Sequence, residues 1–149
     1  MKRLAVAAAV LASFAAAAHA NSASKVDVTA GKNQNECVFI RSVGNYQSID
    51  RDKLVIWAPG SRDAYLVELT MPLLGLEGSW NMAMIDRDRD GRLCGLSSDR
   101  IGVKGAGMSE SSSIRGMTKL SDADLVTLEE QYKVSLTKKK KDEEKQAQE

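Results

Sequence analysis

Histidine is almost missing from this sequence. The 149 residues hold one, His19, and it lies in an N-terminal stretch that reads as a cleaved leader. Residues 21–149 then carry no imidazole, which excludes Ser-His-Asp and Cys-His catalysis and histidine-ligated metal sites. Cysteine is scarce as well: Cys37 and Cys94 are the pair, with no C-x-x-C spacing. Beyond residue 20 no apolar run approaches the roughly 20 residues that a membrane-crossing helix takes. Neither a glycine-rich phosphate loop nor a cofactor motif is present. An excess of one charge is also lacking. Lysine plus arginine number 21 against 20 acids, and loss of Lys2 and Arg3 with the leader brings the bases to 19. So even a balance offers no electrostatic footprint for nucleic acid.

What is present first is an export signature. Lys2 and Arg3 open the chain, Leu4 to Ala18 is apolar apart from Ser13, and Ala18-His19-Ala20 supplies a small-x-small cleavage pattern. The sequence predicts a signal peptide over residues 1–20 and a periplasmic or secreted protein. In an oxidising compartment an even pair of cysteines favours a disulfide over two thiols. Cys37–Cys94 is therefore the expected bond, and for so long a loop the chain-entropy contribution is about 4 kcal/mol. The alternative, a reactive thiol, lacks the histidine or cation cluster that would activate it.

Along the chain, residues 21–36 are small and polar and read as a flexible lead. Cys37 to Val43 (CVFIRSV) carries the β-branched and aromatic residues of a strand. Leu54 to Ala58 and Asp63 to Thr70, separated by Pro59-Gly60-Ser61, predict an antiparallel hairpin. Met71 to Leu76 reads as a buried loop or single helical turn. In Ser79 to Ile85, Trp80, Met82 and Met84 alternate with Asn81, Ala83 and Ile85, so the methionines belong to a core face rather than a copper site. Further strands are expected at Arg92 to Cys94, Arg100 to Val103 and Ile114 to Leu120, with residues 104–112 a flexible loop. Ser121 caps a helix, Asp124 stands at the capping-box position, and Leu125, Leu128 and Tyr132 give it one apolar face. Residues 137–149 form a charged tail expected to be disordered. The resulting expectation is mainly all-β: one domain over 37–136, a small antiparallel barrel or sandwich of about six strands with one C-terminal helix.

The elements Cys37, Asp50-Arg51-Asp52-Lys53-Leu54-Val55, Tyr65-Leu66-Val67-Glu68-Leu69, Leu93-Cys94 and Asp99-Arg100-Ile101 resemble a small exported family of Gram-negative bacteria, known only as a domain of unknown function. The resemblance runs from Cys37 to Leu120. It implies a secreted all-β domain and carries no activity, cofactor or catalytic residue. Members often have four cysteines. Here the second pair of positions corresponds to Met71 and to Ser113 or Ile114, and loss of both together fits a retained Cys37–Cys94 bond. Met71 is expected to fill the vacated space with apolar volume.

One constellation bears on chemistry. Asp86-Arg87-Asp88-Arg89-Asp90-Gly91 matches the first half of a calcium loop, with carboxylates at alternate positions and a glycine for the sharp turn. Asp86, Asp88 and Asp90 are the candidate calcium ligands. The second half departs from the pattern, since Ser97 stands where a bidentate glutamate belongs, and Asp99 would serve only in a non-standard loop. A solvated hairpin turn at Asp90-Gly91, with alternating charge guarding an edge, carries more weight. A third class, a carboxylate hydrolase, would draw on Asp63, Glu68 and Glu77. The leading expectation is a non-enzymatic exported domain that binds an unidentified protein or envelope component or has a structural role, without cofactor. The runner-up is a calcium-dependent binding module.

Overall fold

The computed structural model describes residues 25–77, 82–96, 98–105 and 108–136. The expected leader, the charged tail, Trp80, Asn81 and Ser97 lie outside the described residues. The elements in chain order are β1 (Cys37–Phe39), a 3-10 turn (Ile40–Ser42), β2 (Asn45–Asp50), β3 (Lys53–Ala58), β4 (Asp63–Leu69), β5 (Met82–Ile85), β6 (Arg92–Cys94), β7 (Arg100–Gly105), β8 (Met108–Leu120) and α1 (Asp122–Tyr132). The fold is mainly β, as expected. Six strands form one curled antiparallel sheet, a half-barrel in the order β2-β3-β4-β8-β7-β5, and β1 pairs with β6 in a second, two-stranded sheet.

The expected hairpin is the centre of this sheet. Strands β3 and β4 pair from Lys53↔Glu68 to Ala58↔Asp63. Their near-continuous apolar sequences follow from burial on both faces. Leu54, Ile56, Tyr65, Val67 and Leu69 point into one cluster, joined by Val38, Leu93, Ile101 and Met117. Val55, Trp57, Ala64 and Leu66 point the other way, under Leu125 and Leu128 of the helix. The helix starts where the sequence places it. Ser121 Oγ accepts from the Asp124 amide at 3.3 Å, and an Asp124 carboxylate oxygen accepts from the Ser121 amide at 2.7 Å. Such reciprocal caps contribute about 1 kcal/mol.

Several expectations change. Residues 104–112 are no loop: β8 begins at Met108 and pairs with β7 from Arg100↔Ser113 to Gly105↔Met108. Ser109, Ser111 and Ser113 alternate along one face of the strand while Ser112 is buried, and the serine run mimics loop composition. The lead is partly docked. Val28 and Thr29 are buried, and Asn35 bridges to Met117. Met71 is 56% exposed and fills no core space, whereas Leu73 and Leu76 in the same segment are buried. Of the two readings of this segment, loop or single helical turn, the loop is the one found. Met82 and Met84 pack against the first cluster, while Ala83 and Ile85 are exposed.

Candidate functional site

Strand β5 belongs to the half-barrel and β6 to the small sheet, so Asp86–Gly91 carries the chain between sheets instead of closing a hairpin. This overturns the solvated-hairpin reading, because β5 pairs with β7 and β6 with β1. The loop curls around its own carboxylates. Asp86 accepts from the Arg89 amide at 2.5 Å through Oδ1 and from the Gly91 amide at 2.7 Å through Oδ2. Asp88 accepts from the Asp90 amide at 3.4 Å, and Asp90 from the Arg92 amide at 2.7 Å. The curl needs left-handed backbone at Arg89 (φ 63°) and Gly91 (φ 77°); glycine adopts it freely, arginine at some strain. Asp99, at the mouth of β7 and only 1% exposed, accepts from the Arg87 amide at 3.2 Å and the Cys94 amide at 3.1 Å. It therefore fastens the loop and β6 to the half-barrel.

These contacts bring one carboxylate oxygen each of Asp86, Asp88 and Asp99 within 4.8 Å of one another. Oxygens around a calcium ion lie about 2.3–2.6 Å from it, so ligands on opposite sides stand about 5 Å apart. The three oxygens thus fit a shell around one hard cation. Of the trio expected from sequence, Asp86 and Asp88 are brought together, while Asp90 bonds the Arg92 amide and is replaced by Asp99. The electrostatics reflect this crowding. The hydrogen bond to Asp86 pushes the Asp88 carboxyl above its ordinary range, helped by slight burial and the charges of Asp90 and Asp99. Slight burial would raise Asp86, but hydrogen bonds from the Gly91 amide, Asp88 and the Arg89 and Asp90 amides outweigh it and hold Asp86 low.

Beside this loop stands the covalent link within the small sheet. Cys37 and Cys94 form a disulfide directly across the β1–β6 pair, with Cα atoms 4.2 Å apart. A family model matches residues 1–135. The chain belongs to this family of unknown function, DUF6491. No curated protein and no solved structure matches it. DUF6491 membership therefore brings no reaction or ligand, and chemistry must be read from the side chains themselves.

The remaining sequence candidates do not converge. Asp63 pairs with Lys119 at 3.3 Å and Glu77 with Arg51 at 3.8 Å. Glu68 pairs with Lys53 at 2.5 Å and Arg115 at 3.5 Å. Each acid has its own base, and Asp63 and Glu68, five positions apart on β4, face opposite sides of the sheet. A two-carboxylate hydrolase needs its acids on one cleft, which this arrangement does not supply. The Ser109–Ser113 run lies in β8 and serves the sheet: Ser112 Oγ accepts from the Met71 amide at 2.9 Å.

Proposed function

We propose that this member of the family works outside the cytosol, as an exported domain with a binding or structural role and no catalytic one. The observation that carries this reading is the Cys37–Cys94 disulfide, which leaves no free thiol in the chain and suits an oxidising compartment. Support comes also from the leader pattern of residues 1–20 and from the described helix, which is not long and apolar enough to cross a membrane. The non-catalytic part rests on the missing imidazole and on the dispersed acids. Intact mass of the cell-envelope fraction should match residues 21–149 less two hydrogens, with no alkylation before reduction. The full-length precursor in the cytosol with both thiols titratable would overturn the reading.

A second reading is favoured by one specific feature, the convergence of Asp86, Asp88 and Asp99. On this reading the loop holds calcium, and the ion braces the junction between the two sheets. Millimolar calcium should then raise the melting temperature, and Asp88→Ala should abolish the rise. Asp90→Ala, whose carboxylate stands outside the trio, should keep most of it. No shift in the parent protein removes this reading and leaves the first intact.

A further inference from the structure

The outer rim of the same loop has a different chemistry. Arg41, Arg87, Arg89 and Arg92 are all exposed. Among the described residues, none of these four guanidiniums takes part in an ion pair, although four aspartates lie in the neighbouring sequence. The reason is geometric. Asp86, Asp88 and Asp99 turn onto backbone amides and toward one another, and Asp90 bonds the Arg92 amide, so these carboxylates are engaged by the backbone and not by the guanidiniums. Two of the bases are held in place. The Arg92 guanidinium lies 4.9 Å from the centroid of the Phe39 ring, and that of Arg41 lies 5.5 Å from it. Both are within cation–π reach.

Phe39 is paired with Arg92 across β1 and β6 and is 44% exposed. Stacking engages the face of a guanidinium and leaves its N–H edge free, and that edge matches the oxygens of an anion. Next to the ring a shallow recess of about 460 Å³ is lined by Phe39, Ile40, Arg41, Asp90 and Gly91. An apolar floor beside two pre-positioned, unneutralised cations selects a ligand with an anionic head and an apolar or ring-shaped body. Two cations around one ring favour a dianion over a single carboxylate.

We propose that Phe39, Arg41 and Arg92 form a binding site for a phosphate monoester carried on an apolar or cyclic body. Arg87 and Arg89 add attraction from the loop. Asp90 is the one acid on the rim and opposes the ligand. The site does not require the calcium reading, and either can fail alone.

Phenyl phosphate is the probe, titrated into the 15N-labelled, oxidised protein in chelator. The amides of Phe39, Ile40, Arg41, Gly91 and Arg92 should shift saturably, with half-saturation at or below about 1 mM. Binding should weaken at least tenfold in Arg41→Gln/Arg92→Gln and in Phe39→Leu, tighten in Asp90→Asn, and stay unchanged in Lys119→Gln. All five positions are exposed, so folding should survive, and an unchanged amide spectrum of each free variant verifies it. Sedimentation with phosphatidylcholine vesicles containing phosphatidic acid, whose headgroup is a phosphate monoester, separates the sources. Binding lost in the double arginine variant assigns the phosphate to a lipid headgroup, while protein left in the supernatant that still binds phenyl phosphate assigns it to a soluble ligand. Absence of saturable shifts at these amides, or equal affinity in the double variant, overturns the proposal.

Discussion

A single buried residue, Asp99, joins three parts of the chain. Its carboxylate accepts the Arg87 and Cys94 amides, and its carbonyl accepts the Ile114 amide at 3.0 Å. Removing the carboxylate strands two backbone donors, and an unsatisfied buried donor costs about 1–3 kcal/mol. In chelator, Asp99→Ala should therefore lower unfolding free energy by about 2–4 kcal/mol. Asp90→Ala, on an exposed carboxylate, should change the urea midpoint little. Equal losses in the two variants would show that Asp99 has no anchoring role apart from the acidic loop. Glycine adds a second constraint nearby. A Cβ on Gly95 would stand 2.0 Å from the Gln34 carbonyl and 2.5 Å from the Met117 amide, so the turn after Cys94 closes only because the side chain is missing.

Elements were legible in the sequence where one face or both were apolar and a strong turn intervened. The β3–β4 hairpin and the Ser121–Asp124 cap belong to this group. Local pattern failed where tertiary pairing decided. The Ser-rich start of β8 has a loop's composition, yet it pairs with β7 through Ser113. The Asp86–Gly91 loop resembles a hairpin turn until β6 is seen to choose β1, and Asp99 joins the site only through that choice. The β1–β6 sheet itself pairs just three residues a side, too few for independent stability. The disulfide adds to the core burial of Val38 and Leu93 and to the Asp99 bond on the Cys94 amide, and its 57-residue separation corresponds to about 4 kcal/mol of loop entropy. Cys37→Ser/Cys94→Ser should lose about 2–5 kcal/mol. Hydrogen exchange should quicken chiefly at residues 34–43 and 86–96 and spare β3, β4 and the C-terminal half of β8. Uniform acceleration across all strands would show that the bond braces the whole fold rather than this junction.

At the scale of the whole molecule, near-neutral net charge leaves the pH dependence of stability to a few groups with opposite signs. Asp27 is held below its ordinary range, first by the Thr29 hydroxyl and then by the Thr29 amide. Burial would raise Asp124, but hydrogen bonds from Lys32 and Ser121 prevail and hold it low. With both folded values depressed, the unfolded chain binds more protons in acid. Their stabilisation is present above the usual value of 3.8 and is lost as pH falls through the folded values. At the alkaline end the sign reverses. Burial raises Tyr65 and Tyr132 above 10.0, outweighing the lowering effect of nearby lysines. Burial would lower Lys53, but its hydrogen bond and charge pairing with Glu68 raise it above 10.5. These contributions are complete below the unfolded values and disappear as pH rises past them. Urea midpoints across pH 2–12 should thus show a plateau between about pH 5 and 9 and fall on both sides. Asp124→Asn should flatten the acid limb and leave the alkaline limb in place. Lys53→Met, which removes one raised base, should soften the alkaline limb, partly offset by a further rise of Tyr132, and should also slightly weaken the acid limb because Lys53 helps hold Asp27 low. An acid limb of unchanged slope in Asp124→Asn would mean that the tie between Lys32 and the helix N-terminus does not set acid stability, and that the other depressed carboxylates, Asp27 and Asp86, do.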